Sequence, residues 1–201
     1  QFMLHEFPLT APPLAANAEV YERLFMGASL PLHDFSPDPA LPAPSPRVEP
    51  WHERYQDRAA YLIEEAYRGH LDSRINDQYR TVEGGRRFLY NIIQYPGCGR
   101  FAAESSFVAV EAGSGSLLAA CLASVVSEGV GHITQVCTLP RARGYGLGRH
   151  LMERSMERLA AEGCRTVTLT VTGANRNAVR LYSQLGFTVL RRFPAYVWEN
   201  L

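Results

Sequence analysis

The residues of this sequence that most suggest chemistry are three glycines within five positions, Gly144, Gly146 and Gly148. They lie between a run typical of a strand and a run typical of a helix. The first N–H groups of a helix lack partners within it, and the helix dipole is positive there, so such a loop suits a phosphate. Glycine also lets the backbone approach an anion closely. Taken alone, the loop is equally compatible with an ordinary tight turn.

The elements around this loop must position it. Apolar residues recur at helical spacing over 147–160, and Gly163 is a suitable C-terminal stop. Residues 166–172 alternate and are rich in β-branched side chains, which predicts a strand. A second helical run covers 175–182 and is closed by Leu185, Gly186 and Phe187. The predicted order is therefore strand, glycine loop, helix, strand, helix.

Two motifs in this region resemble those of one superfamily. The run VCTLP at 136–140, followed by RGYGLG at 143–148, resembles motif A of the GNAT superfamily of acyl-CoA-dependent N-acyltransferases, which has the form Arg/Gln-x-x-Gly-x-Gly/Ala. The pattern of Asn, Ala, Leu-Tyr and Leu-Gly-Phe over 175–187 resembles its motif B. The resemblance covers residues 101–200 well, 51–100 loosely and 1–50 not at all.

The resemblance implies a fold and an activity. The fold is α/β (α+β), with a mixed, mostly antiparallel twisted sheet flanked by helices and a splayed strand pair that opens the CoA cleft. The activity is that of an N-acetyltransferase, which transfers the acetyl group of acetyl-CoA to a primary amine by direct attack in a ternary complex. The alternative is a non-catalytic acyl-CoA-binding sensor or regulatory module, which the lack of a carboxylate on the strands beside the site keeps open.

The resemblance also implies roles for particular residues. Tyr182 matches a tyrosine that protonates the departing thiolate, although it would equally suit an apolar helix face. Asn175 matches a residue that contacts pantetheine or caps the helix. The backbone of the glycine loop would hold the pyrophosphate and that of the preceding strand would pair with pantetheine. The implied cofactor-binding residues are Val136, Thr138, Arg143, Gly144, Gly146, Leu147, Gly148, Arg149, Asn175 and Tyr182.

The general base is not identified by the sequence. The two strands beside the cleft carry threonines and Gln135, and none of these is a base at neutral pH. His132 is the nearest titratable residue on a strand, and Asp72 and Asp77 in a polar segment are further candidates. Together with Glu83, these two aspartates could also present carboxylates to a cationic amine.

A dinucleotide site of the Rossmann type is the natural competitor for a glycine-rich strand–turn–helix. It requires Gly-x-Gly-x-x-Gly and an acidic residue about 20 positions later, at the end of the next strand. Here the third glycine comes one position early, and the next strand has threonine where the acid is required. The sequence excludes this reading.

Bulk composition narrows the class of protein. The 201 residues are 46% hydrophobic and 20% charged, which is ordinary for a globular domain. Lys+Arg equals Asp+Glu, so no overall field favours nucleic acid or an anionic membrane. No apolar run is long enough to span a bilayer. The four cysteines are scattered, which predicts a reduced, cytoplasmic protein, and no cluster has metal-ligand spacing, so no metal is expected.

We expect the chain to divide into an N-terminal arm with a Pro-rich linker, residues 1–50, and a domain, residues 51–201, that the resemblance identifies as a GNAT acetyltransferase domain. The arm could instead be the remnant of a preceding domain, and the initial Gln suggests a fragment or a processed product. Within the arm we predict a strand at 2–7, a helix at 17–26 and a linker at 31–50. Within the domain we predict helices at 55–69 and 85–95, a polar loop at 72–79, strands at 106–111, 117–126 and 131–138, and a closing hairpin formed by 188–191 and 195–198. The hairpin edge would allow a homodimer.

Overall fold

The computed structural model describes residues 18–31, 45–95, 97 and 99–198, and eight strands within these ranges form one sheet. The strands are β1 (Glu19–Ser29), β2 (Arg47–Pro50), β3 (Arg100–Phe101), β4 (Phe107–Val110), β5 (Leu117–Ser127), β6 (Val130–Thr138), β7 (Thr166–Thr172) and β8 (Thr188–Val197). The helices are α1 (Gln56–Tyr67), α2 (Asp72–Ile75), α3 (Val82–Gln94), α4 (Leu147–Ala161) and α5 (Arg176–Gln184). The sheet order is β2-β4-β5-β6-β7-β1-β8, and β3 pairs with β5.

Strands β6 and β7 separate part-way along their length. They pair in parallel from Val130 to Ile133, and the pairing then ends although both strands continue. At the same point β6 holds one extra residue against β5, because Gln135 pairs with Leu122 and Ile133 with Ala123, which leaves Thr134 as a bulge. Every other strand pair in the described sheet is antiparallel. The predicted mixed sheet with a splayed strand pair is therefore confirmed.

Helices α1 and α4 cover opposite faces of this sheet. The side chain of Gln135, on β6, donates a hydrogen bond to Tyr67 of α1. Cys121 lies on β5 opposite Val136, and it accepts a hydrogen bond from Ser155 of α4 at 3.2 Å. Consecutive strand residues face opposite sides, so neighbouring positions 135 and 136 lie toward different helices. The absence of a side chain at Gly131 lets α4 pack closely, since a Cβ there would lie 2.7 Å from a methyl of Leu159.

Most of the elements predicted between residues 55 and 182 are found close to their expected places. The helical runs at 55–69, 85–95, 147–160 and 175–182 correspond to α1, α3, α4 and α5. The four strands predicted from 106 to 172 correspond to β4, β5, β6 and β7. The polar segment at 72–79 is more ordered than a loop, because it forms α2 and a short 3-10 turn over Asp77–Tyr79.

The helix predicted at 17–26 is wrong, because residues from Glu19 onward form strand β1. Leu24, Met26 and Ala28 are buried at a spacing of two, and β1 is paired with β7 on one side and β8 on the other. Strand pairing on both sides overrides a weak helical pattern. The closing hairpin is wrong as well, since 188–197 is one strand. Pro194 is tolerated in it because β8 is the sheet edge.

The first 50 residues supply strands to the same sheet as the rest. The predicted linker ends in β2, while the strand predicted at 2–7 and the linker positions 32–44 lie outside the described residues. The division into an arm and a domain at residue 50 stays a prediction. Among the described helices, none is both long and apolar enough to cross a bilayer.

Candidate active site

A cleft of about 540 Å3 lies between the end of α1, the glycine loop and α5. It forms where β6 has separated from β7, so the sheet itself opens the space. All ten residues that the sequence implied for cofactor binding line this one cleft: Val136, Thr138, Arg143, Gly144, Gly146, Leu147, Gly148, Arg149, Asn175 and Tyr182.

The glycine loop has the backbone geometry that an anion requires. Gly144 and Gly146 have φ angles of 85° and 79°, in the left-handed region that other residues rarely adopt. Gly146 is the N-cap of α4, and no side chain there accepts a hydrogen bond from the first turn. The N–H groups that begin α4 thus face the cleft without a capping side chain. Unpaired N–H groups at the start of a helix suit an anionic group.

The side chain of Arg143 fastens the loop to its surroundings. Its Nε donates to the carbonyl oxygen of Thr138 at 3.1 Å, and its Nη2 donates to that of Ala66 at 2.7 Å. These bonds join the loop to the end of β6 and to α1. Arg149, one turn into α4, pairs with Glu153 at 2.8 Å. The guanidinium of Arg143 therefore holds the loop against β6 and α1.

Tyr182 lies on α5 at the inner end of the cleft. Asn175 begins this helix, and its side chain accepts a hydrogen bond from the N–H of Ala178 at 3.3 Å, so the capping role foreseen for Asn175 is observed. The Tyr182 hydroxyl has no hydrogen-bond partner within the described ranges. Burial raises the pKa of Tyr182 well above its ordinary value, and neighbouring negative groups add to this. The phenol is therefore protonated at physiological pH, and its hydroxyl can donate a hydrogen bond.

A second cavity, of about 480 Å3, lies on the other side of Tyr182. The two cavities share five lining residues, which are Tyr67, Val136, Asn175, Ala178 and Tyr182. Arg23, Asp72, His132 and Phe193 line the second cavity but not the cleft. A molecule in the cleft and a molecule in the second cavity would meet at these shared residues.

A polar network fixes the wall of this junction. The Tyr67 hydroxyl donates to the carbonyl oxygen of Val136 at 3.3 Å and accepts from the Gln135 amide at 3.0 Å. The Tyr79 hydroxyl donates to the other end of the same amide at 3.1 Å, and the two tyrosine rings stack with centroids 4.4 Å apart. Sequence reasoning missed both tyrosines. The only sign of the network was the glutamine at position 135 of the strand, next to the apolar residues Val136 and Cys137.

The candidate bases occupy different places. His132 lines the second cavity and shares a hydrogen bond of 2.8 Å with Thr168, and burial lowers its pKa to about 4, which makes it a weak base. Asp72 lines the same cavity, whereas Asp77 and Glu83 line a separate surface groove. The three carboxylates that the sequence suggested for one amine are therefore not brought together. Within the described ranges, no three His, Cys, Asp or Glu side chains are arranged to hold a metal ion.

Comparison with known proteins agrees with this geometry. The model of the acetyltransferase (GNAT) family matches residues 44–187, which is more than half of the chain. The chain belongs to the GNAT family. The matched range contains the glycine loop, the splayed strands and Tyr182, but it does not include β1.

Relatives of this GNAT chain are acetyltransferases. A mycothiol acetyltransferase from Thermobifida fusca is 30% identical over 186 residues, which cover 88% of this chain and 58% of the relative. A mycothiol acetyltransferase from Frankia alni is 44% identical over 71 residues, or 35% of this chain and 21% of the relative. The crystal structure of a GCN5-related N-acetyltransferase from Sphaerobacter thermophilus has a TM-score of 0.64 at 24% identity, and the match covers 90% of this chain and 51% of that one. The chain thus spans little more than half the length of these longer relatives at most, and the family to which it belongs is one of acetyltransferases.

Proposed function

We propose that this chain transfers the acetyl group of acetyl-CoA to a primary amine by direct attack in a ternary complex. The observation that carries the proposal is the meeting of two cavities at Tyr67, Val136 and Tyr182. One cavity has an anion-binding loop at its outer end, and the other has polar and charged walls. Two reactants held in contact at a junction react as if within one molecule, which lowers the entropic barrier.

The residues that would hold acetyl-CoA are those of the cleft. The N–H groups at the start of α4 would hold the pyrophosphate, with Gly146 and Gly148 leaving room for it. The free edge of β6 beyond Ile133 would pair with pantetheine in the manner of a strand. Bound there, acetyl-CoA supplies an activated thioester carbonyl. Val136 and Thr138 already accept side-chain hydrogen bonds through their carbonyl oxygens, which fixes this edge in position.

Tyr182 would act as the general acid. A neutral phenol lies at the junction with its hydroxyl unused by the described residues, so its proton is available to the departing thiolate. Asp72 is the one carboxylate among the described residues that line the second cavity. It would draw the ammonium form of the acceptor into place and accept its proton, directly or through water.

The alternative, a non-catalytic acyl-CoA-binding module, shares the cleft but requires no acceptor cavity. Purified protein mixed with acetyl-CoA and a panel of primary amines distinguishes the two. Thiol release that depends on both the amine and Tyr182 supports the enzyme. Calorimetric binding of acetyl-CoA with no thiol release from any amine supports the binding module.

Two further expectations stay proposals. A cytoplasmic location is supported by Cys121, Cys137 and Cys164, which are free thiols in the described structure. A homodimer through the edge strand β8 is supported by the exposure of Val189 and Leu190 there. Light scattering of the purified protein tests the second proposal.

A further inference from the structure

We propose that the second cavity takes an acceptor that carries an acidic group beside its amine, and that Arg23 recognises this acid. The inference rests on the proposed acetyl transfer and names the class of amine that the site accepts. The class is that of amino acids and similar short zwitterions. Arg23 would be a specificity-determining residue.

Arg23 reaches the cavity because of the position of β1 in the sheet. In the register of the sheet, Arg23 lies opposite Thr172 of β7 on one side and Phe193 of β8 on the other. Residues directly opposite one another on neighbouring strands have their side chains on the same face of the sheet. Arg23, Thr172 and Phe193 therefore share one face. Both Arg23 and Phe193 line the cavity. Strand β1 lies outside the range matched by the family model, so this wall is a feature of the chain beyond the family core.

The guanidinium of Arg23 is anchored at one nitrogen only. Its Nη1 donates to the Thr172 hydroxyl at 2.8 Å and lies 3.6 Å from Asp72 Oδ1, and the Thr172 hydroxyl donates to the same carboxylate. Its Nε and Nη2 have no hydrogen-bond partner in the described part of the chain, and 21% of the side chain is exposed. Arginine presents its donors as a rigid fork that matches a carboxylate. The guanidinium is therefore held in place by Nη1, while its Nε and Nη2 groups can still donate to a bound carboxylate.

Two side chains of opposite charge line the cavity. Arg23 and Asp72 are the only formally charged side chains among the described residues that line it, so its net charge is zero. Asp72 lies on the side of the cleft, because its carboxylate is 3.5 Å from Nδ1 of His70 and His70 lines the cleft. An amine directed toward Tyr182 would therefore pass Asp72, with its acid left at Arg23. A cavity of about 480 Å3 limits the spacer to a short one.

Matched amines test the proposal. L-Leucine, L-leucinamide and glucosamine would each be given to the protein with saturating acetyl-CoA, with thiol release and the mass of the N-acetylated product as readouts. The amide keeps the amine and loses the acid, and glucosamine offers hydroxyls instead. A charge-assisted bond to the acid corresponds to a preference in kcat/KM of about 10- to 100-fold, expressed mainly in KM.

Arg23→Gln removes the fork while leaving a donor for Thr172, and we expect it to abolish the preference for leucine over leucinamide. Arg192→Gln is the matched control, because Arg192 lies on the adjacent strand, pairs with exposed Glu22 and does not line the cavity. Unchanged acetyl-CoA affinity in both variants shows that they are folded. Equal use of leucine and leucinamide by the wild type, or a preference that survives in Arg23→Gln, overturns this inference alone. If acetyl-CoA binds and leucine is not acetylated, this inference is overturned, whereas the proposed transfer is overturned only if every amine of the wider panel is also left unmodified.

Discussion

Gly148 offers the sharpest test of the CoA cleft, because a substitution there changes the site without straining the backbone. It is the second residue of α4 and has no left-handed φ angle, in contrast to Gly144 and Gly146. A Cβ at this position would lie 3.4 Å from Thr138 Oγ1 and 3.9 Å from a methyl of Val136, which is ordinary contact. We therefore expect Gly148→Glu to fold, with its carboxylate directed into the space proposed for the pyrophosphate.

The magnitude follows from electrostatics. Two like charges about 4 Å apart repel by about 4 kcal/mol at the effective dielectric of a protein surface. Because about 1.4 kcal/mol corresponds to tenfold in affinity, one such pair weakens binding about a thousandfold. Calorimetric titration with acetyl-CoA should therefore show measurable binding by the wild type and none by Gly148→Glu.

Two controls separate charge from bulk. Gly148→Ala adds only the tolerated Cβ and should retain affinity close to that of the wild type. Gly148→Gln has the size of glutamate without its charge and should fall between the two. The reasoning is refuted if Gly148→Glu is folded and binds acetyl-CoA as tightly as Gly148→Ala.

Three further predictions concern the junction and the loop. Tyr182→Phe should lower kcat by about 10²- to 10⁴-fold with unchanged acetyl-CoA affinity, as expected for loss of a general acid, and an unaltered kcat would exclude that role. Burial lowers the pKa of His132 from 6.5 to about 4. The neutral imidazole therefore contributes its full stabilisation above pH 6.5, and the free energy of unfolding falls by at most about 3 kcal/mol as the pH falls toward 4. Urea unfolding at neutral pH and near pH 5 should show this loss in the wild type and a smaller one in His132→Gln. Arg143→Ala removes two hydrogen bonds to carbonyl oxygens and should lower the free energy of unfolding by about 1 to 2 kcal/mol. A denaturant midpoint equal to that of the wild type would show that these bonds do not hold the loop.

The cleft was predictable because its determinants are local in sequence. The glycine loop, α4, β7 and α5 follow one another directly, and each carries its own period and its own start or stop residue. The relative positions of Asn175 and Tyr182 then follow, because helix α5 has a fixed geometry. The splayed strands came from the family resemblance, since nothing in the residues around Thr134 marks the bulge that accompanies the opening.

The second cavity was not predictable in the same way. Arg23, the pair Tyr67 and Asp72, and Phe193 come from three separate parts of the chain, and only the sheet order brings them together. Strand β1 was mistaken for a helix because its identity depends on pairing with β7 and β8, which lie more than a hundred residues away. Long-range pairing of this kind decides strands more often than local propensity does.

The account depends on the meeting of acetyl-CoA and an amine at Tyr182, and a single-turnover experiment tests this most directly. Protein in excess over acetyl-CoA would be incubated with and without a panel of primary amines, and both the intact protein and the small-molecule products would be analysed by mass spectrometry. Direct attack in a ternary complex predicts an unmodified protein in both samples and an N-acetylated amine, with one thiol released per product, only where amine is present. An acetylated protein formed without amine, or acetyl-CoA that binds and stays intact with every amine, would contradict the account.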